Sequence, residues 1–196
     1  QTVSLIYAYS QGVLITGGLD STLYIFSWLI ALVYIGAQLV FKASLFGVFV
    51  APLTFIMTIP HVVIPQGVIE LDPTLSNPWI LIHILLILLG EAIFTVAFVS
   101  GILYIFQENR IKSKNLGSLL RKFPSLTTLD KINHKCLLVG FPLLTIGIAL
   151  GFLLAVKIWG DAWVWGWKET FSIVTWILYA ILLHGRLSSG WKGRKA

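Results

Sequence analysis

Apolar residues run along this chain in blocks too long and too unbroken for a water-facing fold. Crossing the hydrocarbon of a bilayer takes about 20 apolar residues of helix. Five stretches approach or exceed that length: about 20–41, 45–63, 79–106, 135–158 and 169–185. The pattern predicts an all-α polytopic transmembrane bundle of about five spans, with residues 1–196 as a single transmembrane domain. Residues 1–12 (QTVSLIYAYSQG) are apolar but too short to cross, and read as the remnant of a helix that begins before Gln1. Only Lys42, Ala43 and Ser44 separate the first two spans, which predicts a tight antiparallel hairpin. Polar positions gather in the loops 64–78 and 159–168 and in the longer segment 107–134. Within the last of these, NLGSLLRKF (115–123) has the pattern of a short amphipathic helix lying at the membrane surface, ended by Pro124.

Composition strengthens the membrane assignment. Of the 196 residues, 57% are hydrophobic and 11% charged, and the mean hydropathy is +0.89. Soluble domains are about 45–50% apolar and about 25% charged. The single cysteine, Cys136, excludes a disulfide framework and any paired-cysteine redox or haem-attachment motif. The one methionine is Met57 and the chain opens at Gln1, so flanking spans are expected to be missing at one or both ends.

The net charge of +6 changes meaning once it is sorted by loop. Lys42, Arg110, Lys112, Lys114, Arg121, Lys122, Lys131, Lys135, Arg186, Lys192, Arg194 and Lys195 fall on one side, twelve of the 14 Lys and Arg. Lys157 and Lys168 fall on the other, with Asp20, Glu70, Asp72, Asp161 and Glu169. The positive-inside rule makes the cation-rich side cytoplasmic. The charge is therefore mostly an orientation signal, and no nucleic-acid partner is expected; the bilayer itself is the first partner.

Candidate chemistry lies in two places. The segment WGDAWVWGWKET (159–170) holds Trp159, Trp163, Trp165 and Trp167, four of the eight tryptophans. An interfacial aromatic belt and a flat platform for a planar ligand are both open readings. The four histidines divide by level: His61 and His83 near the outer face, His134 and His184 near the cytoplasmic face. Paired imidazoles at each level are what bis-histidine haem ligation requires, although single histidines are often structural. At 1.5 Å per residue Glu169 and His184 lie about 22 Å apart, so the Trp loop and His184 need separate sites or a transfer path. Glu91, two turns below His83, faces the bundle interior, and a protonated, hydrogen-bonded carboxyl is the favoured reading. Gly147 and Gly151, with Gly140 two turns away, predict close packing of the fourth span, and Pro142 is expected to bend it. No phosphate loop, catalytic triad or stand-alone catalytic motif is present.

Several of these segments carry a resemblance. LDKINHKCLLVGFPLLTIGIALG (129–151), then WGDAWVWGWKETFSIVTWILYAILLHGRLSSGWKGRKA (159–196), closely resemble the CcsA/ResC/HemX-like cytochrome c assembly family. SNPWILIHILLILLGEA (76–92) is similar to its outer-face histidine segment, and the hairpin 23–53 to its upstream hairpin. The resemblance implies a multi-pass protein of the bacterial inner or thylakoid membrane. Its Trp-rich loop (the WWD motif region), on the periplasmic or lumenal side, would hold haem b for attachment to apocytochrome c beside a CcsB/ResB-like partner. On that resemblance His83 matches the outer-face haem-iron ligand and His184 the membrane-embedded ligand of the LH-x-R motif. Trp159, Trp163, Trp165, Lys168 and Glu169 match the haem-cradling loop.

The chain departs from the family at three points. WxWDPKE reads WVWGWKE, with Gly166 and Trp167 in place of Asp and Pro. The family's second outer histidine lies in a span beyond Ala196, for which His61 is the candidate substitute. A usual Glu near position 21 is Ser21, beside Asp20. Besides a subunit of a haem-ligating synthase, a HemX-like haem-binding regulator and a structural subunit of a larger membrane complex therefore stay open.

Overall fold

A computed structural model describes residues 18–42, 46–64, 77–113, 123–160, 166–191 and 193. Five helices account for nearly all of them: α1 (Leu19–Phe41), α2 (Gly47–Val63), α3 (Pro78–Lys112), α4 (Leu126–Trp159) and α5 (Trp167–Ser188). The described residues contain no strand. The predicted surface helix at 115–123 falls outside them, except for Phe123.

Local chemistry sets the helix ends. Asn77 caps α3 by accepting from the Trp79 N–H, and Pro78 fills the first turn, where its missing N–H costs nothing. Ser125 caps α4 through the Thr128 N–H at 3.1 Å. Gly160 ends α4 in the left-handed region at φ 77°, which a side chain would resist. α4 runs unbroken through Pro142.

Helices α3 and α4 are longer than the apolar runs that predicted them. At 35 and 34 residues they reach about 50 Å, against about 30 Å of hydrocarbon. The extra turns carry Arg110, Lys112 and Lys131, so hydropathy marked only the more apolar part. Among the described residues, four helices are long and apolar enough to cross a membrane, while α2, with 17 residues, is shorter.

The α1–α2 hairpin is antiparallel, as the three-residue link predicted. Tyr24 at the start of α1 stacks on His61 at the end of α2, and Tyr34 stacks on Phe46 at the other end. Helices α3 and α4 form the central antiparallel pair. Glycines set their separation: a Cβ on Gly90 would stand 3.2 Å from the Leu144 nitrogen, and one on Gly140 3.2 Å from the Ile93 Cγ2. Gly147 abuts Ile87, and Gly151 abuts His83. The core fills the space between this pair and α1, with Ile30, Val96, Leu103, Leu129 and Ile132 buried. Buried Ser27 and Ser100 donate to carbonyls one turn back, at 2.8 and 2.9 Å, so neither hydroxyl faces hydrocarbon alone.

The outermost helix, α5, leans on α4. Trp176 Nε1 donates to Thr145 Oγ1 at 2.9 Å, and Phe141 stacks on the same indole. Tyr179 stacks on Phe94 of α3 at 3.5 Å between centroids. Only 11% of its most apolar stretch is buried.

Two glycine substitutions should separate packing from helix propensity. Gly140→Leu forces a side chain into Phe94 and Ile93 and is expected to destabilise by about 1–3 kcal/mol. Gly36→Ala adds a methyl where nothing lies within 4 Å and is expected to stabilise by up to about 1 kcal/mol. Unfolding midpoints of the two variants in mixed micelles check the opposite signs.

Candidate functional site

The predicted site residues fall into separate seams of the bundle. His83 occupies the α3–α4 seam. Its Nδ1 lies 2.8 Å from the carbonyl oxygen of Gly147, and a carbonyl can only accept, so Nδ1 carries the proton. That leaves Nε2 as the free lone pair. A second ring nitrogen bound to a backbone carbonyl is the usual way an iron-ligating imidazole is oriented. Gly151 makes the seat, because the ring rests where any side chain at 151 would stand. His83 thus fits the role of an axial haem ligand on geometry as well as residue type.

His61 belongs to a different seam. It packs on α1, stacked on Tyr24 at 4.4 Å, with Nδ1 3.3 Å from the Asp20 carboxylate. Asp20 also accepts from the Ser21 hydroxyl. Sequence reasoning had placed Asp20 and His61 at the same end without joining them. No group of three or more His, Cys, Asp or Glu side chains converges among the described residues.

The opposite end is cationic. Lys135 lies 5.6 Å over the Phe41 ring, and Phe49 meets Phe123, which brings the end of α1 and the start of α2 to the start of α4. His134 is half-buried there, and its Nδ1 is buried without a hydrogen-bond partner. His184, on α5, is exposed on the outside of the bundle. Equal depth therefore does not make these two histidines a pair.

Arg186 was read as one more topological cation. It is also the most buried charged residue among those described, with 4% of its side chain exposed. Nη2 donates to Asp130 Oδ1 and to Asn133 Oδ1, each at 2.9 Å. Asn133 donates in turn to the Ala97 carbonyl of α3, and Asp130 accepts from the Gly193 N–H. Gly190 and Gly193 hold φ of 63° and 61°, the left-handed region that lets the chain fold back beneath α5. A cavity of about 220 Å³ adjoins this cluster, lined by Tyr104, Asn133, Tyr179 and Arg186 among others.

Of the Trp-rich segment, residues 161–165, including Trp163 and Trp165, lie outside the described residues, as do the side chains of Trp159 and Lys168. Trp159 closes α4, and Lys168 and Glu169 lie in the first turn of α5. The Glu169 carboxylate folds back over Gly166, the N-cap residue, in extended backbone at φ −108°. Half-buried Glu91 sits within α3, where Thr95 donates to its carbonyl.

An apolar helical bundle with cations collected at one end and a glycine-seated histidine near the other defines a multi-pass membrane protein. Residues 19–196 match the family described as "Cytochrome C assembly protein", and the chain belongs to that family. It is 29% identical over 185 residues to the cytochrome c biogenesis protein CcsA of Guillardia theta, covering 84% of this chain and 62% of that one. The CcsA protein of Chlamydomonas reinhardtii is 33% identical over 131 residues, 66% of this chain and 36% of its own. That of Gloeothece citriformis is 28% identical over 225 residues, 90% and 69% respectively. The chain spans about three fifths of the length of the Guillardia theta and Cyanophora paradoxa relatives. No solved structure matches it.

Proposed function

We propose that this protein handles haem in cytochrome c assembly, binding haem b and presenting it at the outer membrane face beside a CcsB/ResB-like partner. The observation that carries this reading is the seat of His83: one ring nitrogen is committed to the Gly147 carbonyl, and the other is left as a lone pair at the Asp20–His61 end of the bundle. Haem supplies the iron that takes imidazole ligands and the vinyl groups that receive apocytochrome c thiols. The chain's part is to hold and orient it. His83 binds the iron from the α3–α4 seam. His61, turned by Asp20, is the second outer ligand in place of the histidine that the family carries in a later span. Trp159, Trp163, Trp165, Lys168 and Glu169 match the family's haem-cradling loop and would hold the group there. His184 ligates at membrane depth, and His134 stands at the same level on α4. The cation-rich end is cytoplasmic, in a bacterial inner or thylakoid membrane.

Purified full-length protein is expected to show a sharp reduced α band from low-spin, bis-histidine haem. His83→Ala and His61→Ala should each weaken it and broaden the Soret maximum. An unchanged spectrum for His61→Ala removes that residue from the site, and a chain with no Soret band at all removes the haem-handling reading. The Gly166–Trp167 replacement favours two other readings, a HemX-like haem-binding regulator and a structural subunit that keeps the fold and binds no haem. Haem-positive protein that never co-purifies with a CcsB-like partner supports the regulator, and protein without a Soret band the structural subunit.

The N-terminus of α5 offers a smaller test. Gly166→Asp restores an acidic N-cap and should strengthen the first turn by only a few tenths of a kcal/mol. It also displaces the Glu169 carboxylate, so any change in the haem spectrum well beyond that of the fold reports on Glu169.

A further inference from the structure

We infer that Arg186 is a positioning residue whose hydrogen bonds fix the rotation of α5 about its own axis and so keep His184 on the outside of the bundle. The inference rests on the proposed role of His184 in holding haem at membrane depth.

Residues two apart on a helix point about 200° away from each other. Arg186 faces inward and is buried, and His184 faces outward and is exposed, so whatever holds one orients the other. Trp176, Tyr179, Leu182 and Leu183 pack the same inner face of α5 against α3 and α4, and the Arg186 bonds add to that hold at the last turns. Only 11% of the most apolar stretch of α5 is buried, and the cavity of about 220 Å³ lies against this turn, bounded by Leu182 and Tyr179 as well as Arg186. A helix beside an empty space can turn at small cost unless directional bonds prevent it. The bonds at Arg186 supply that direction. Nη2 reaches two acceptors one turn apart on α4, Asp130 and Asn133, at 2.9 Å each. Both acceptors are themselves held, Asn133 by the Ala97 carbonyl at 2.9 Å and Asp130 by the Gly193 N–H at 3.0 Å. Trp191 closes the arrangement, donating its N–H to the Gly185 carbonyl at 3.1 Å while its ring covers Gly185. The guanidinium leaves Nε buried and unbonded to keep Nη2 on both acceptors, a choice that direction explains and burial alone does not. Rotating α5 by one residue would break both Nη2 bonds and carry His184 into the bundle or away along its wall.

The test uses spin labels on the full chain in lipid nanodiscs, with Cys136 replaced by Ala and a cysteine introduced at 184 or at half-buried 183. Collision with dissolved oxygen reports which position faces lipid, and it is read without haem. With Arg186 present, oxygen accessibility is expected to be several-fold higher at 184 than at 183. In the paired variant Arg186→Met with Asp130→Leu, which leaves no orphan charge and so keeps the chain folded, the two values should converge. Equal contrast between 184 and 183 with and without Arg186 would overturn the inference. Haem reconstituted into the unlabelled paired variant, with His184 intact, is expected to lose the part of its spectrum that His184→Ala removes. A flat haem spectrum in every chain, with the accessibility contrast still dependent on Arg186, overturns the haem reading and leaves the positioning role standing.

Discussion

Gly151→Leu is expected to abolish the outer haem signal as completely as His83→Ala does. The glycine's missing side chain is the space in which the imidazole lies: a Cβ at 151 would stand 3.0 Å from Nδ1 and 3.1 Å from Nε2. A leucine there must expel the ring, and with it goes the bond from Nδ1 to the Gly147 carbonyl. Loss of a partner that orients a metal ligand costs about 10–100-fold in affinity, and expulsion of the ligand itself costs more. Gly151→Ala should fall between the two, since the ring has to move by a few tenths of an ångström or more and its hydrogen bond lengthens. Haem per protein and the reduced α band, measured on purified variants, report the series. Gly36→Leu is the control, because nothing lies within 4 Å of that position. Full haem content in Gly151→Leu would mean that His83 is not the ligand its seat suggests.

How far the amino-acid pattern reaches is clearest at the histidines. Their depth follows from counting residues along a helix, so the division into two levels, one at each end of the bundle, was legible without coordinates. Which neighbour each ring meets depends on the rotation of the helix and on its register against the next one. Those are products of packing between residues far apart in the chain. Thus His83 and His61 share a level yet pack against α4 and α1 respectively, and His184 faces outward while His134 is half-buried. The glycines at 140, 147 and 151 did announce a close helix pair, because small residues at helical spacing have few other uses in a membrane. They did not announce that one of them would be a histidine's seat. Arg186 was opaque for the same reason. Its counterion is 56 residues away, and a lone cation after an apolar run is ordinarily a membrane anchor. The helix caps at Asn77, Ser125 and Gly160 depend on a few adjacent atoms, and they were accordingly the most local features of the fold.

Arg186→Met alone is expected to destabilise the bundle by about 3 kcal/mol, and adding Asp130→Leu should return most of that loss. Removing one partner of a buried ion pair strands the other, at a cost of about 3–5 kcal/mol. Asp130 keeps 21% of its side chain exposed and the Gly193 N–H as a donor, which places it at the lower end. Replacing both partners by apolar groups of similar volume removes the stranded charge, and such exchanges are often neutral. The four unfolding midpoints, wild type, each single variant and the pair, form a cycle whose coupling should reach about 2 kcal/mol or more. Additive single effects would mean that the 2.9 Å contact contributes little. Recovery of stability in the pair carries a further consequence. Met and Leu restore burial but carry no direction, so the paired variant is expected to be stable and yet free to turn at α5. The stability of the cation-rich end and the orientation of His184 are then separable properties, the first supplied by apolar area and the second by directional bonds, those of the Arg186 guanidinium adding to the Trp176–Thr145 bond further along the helix.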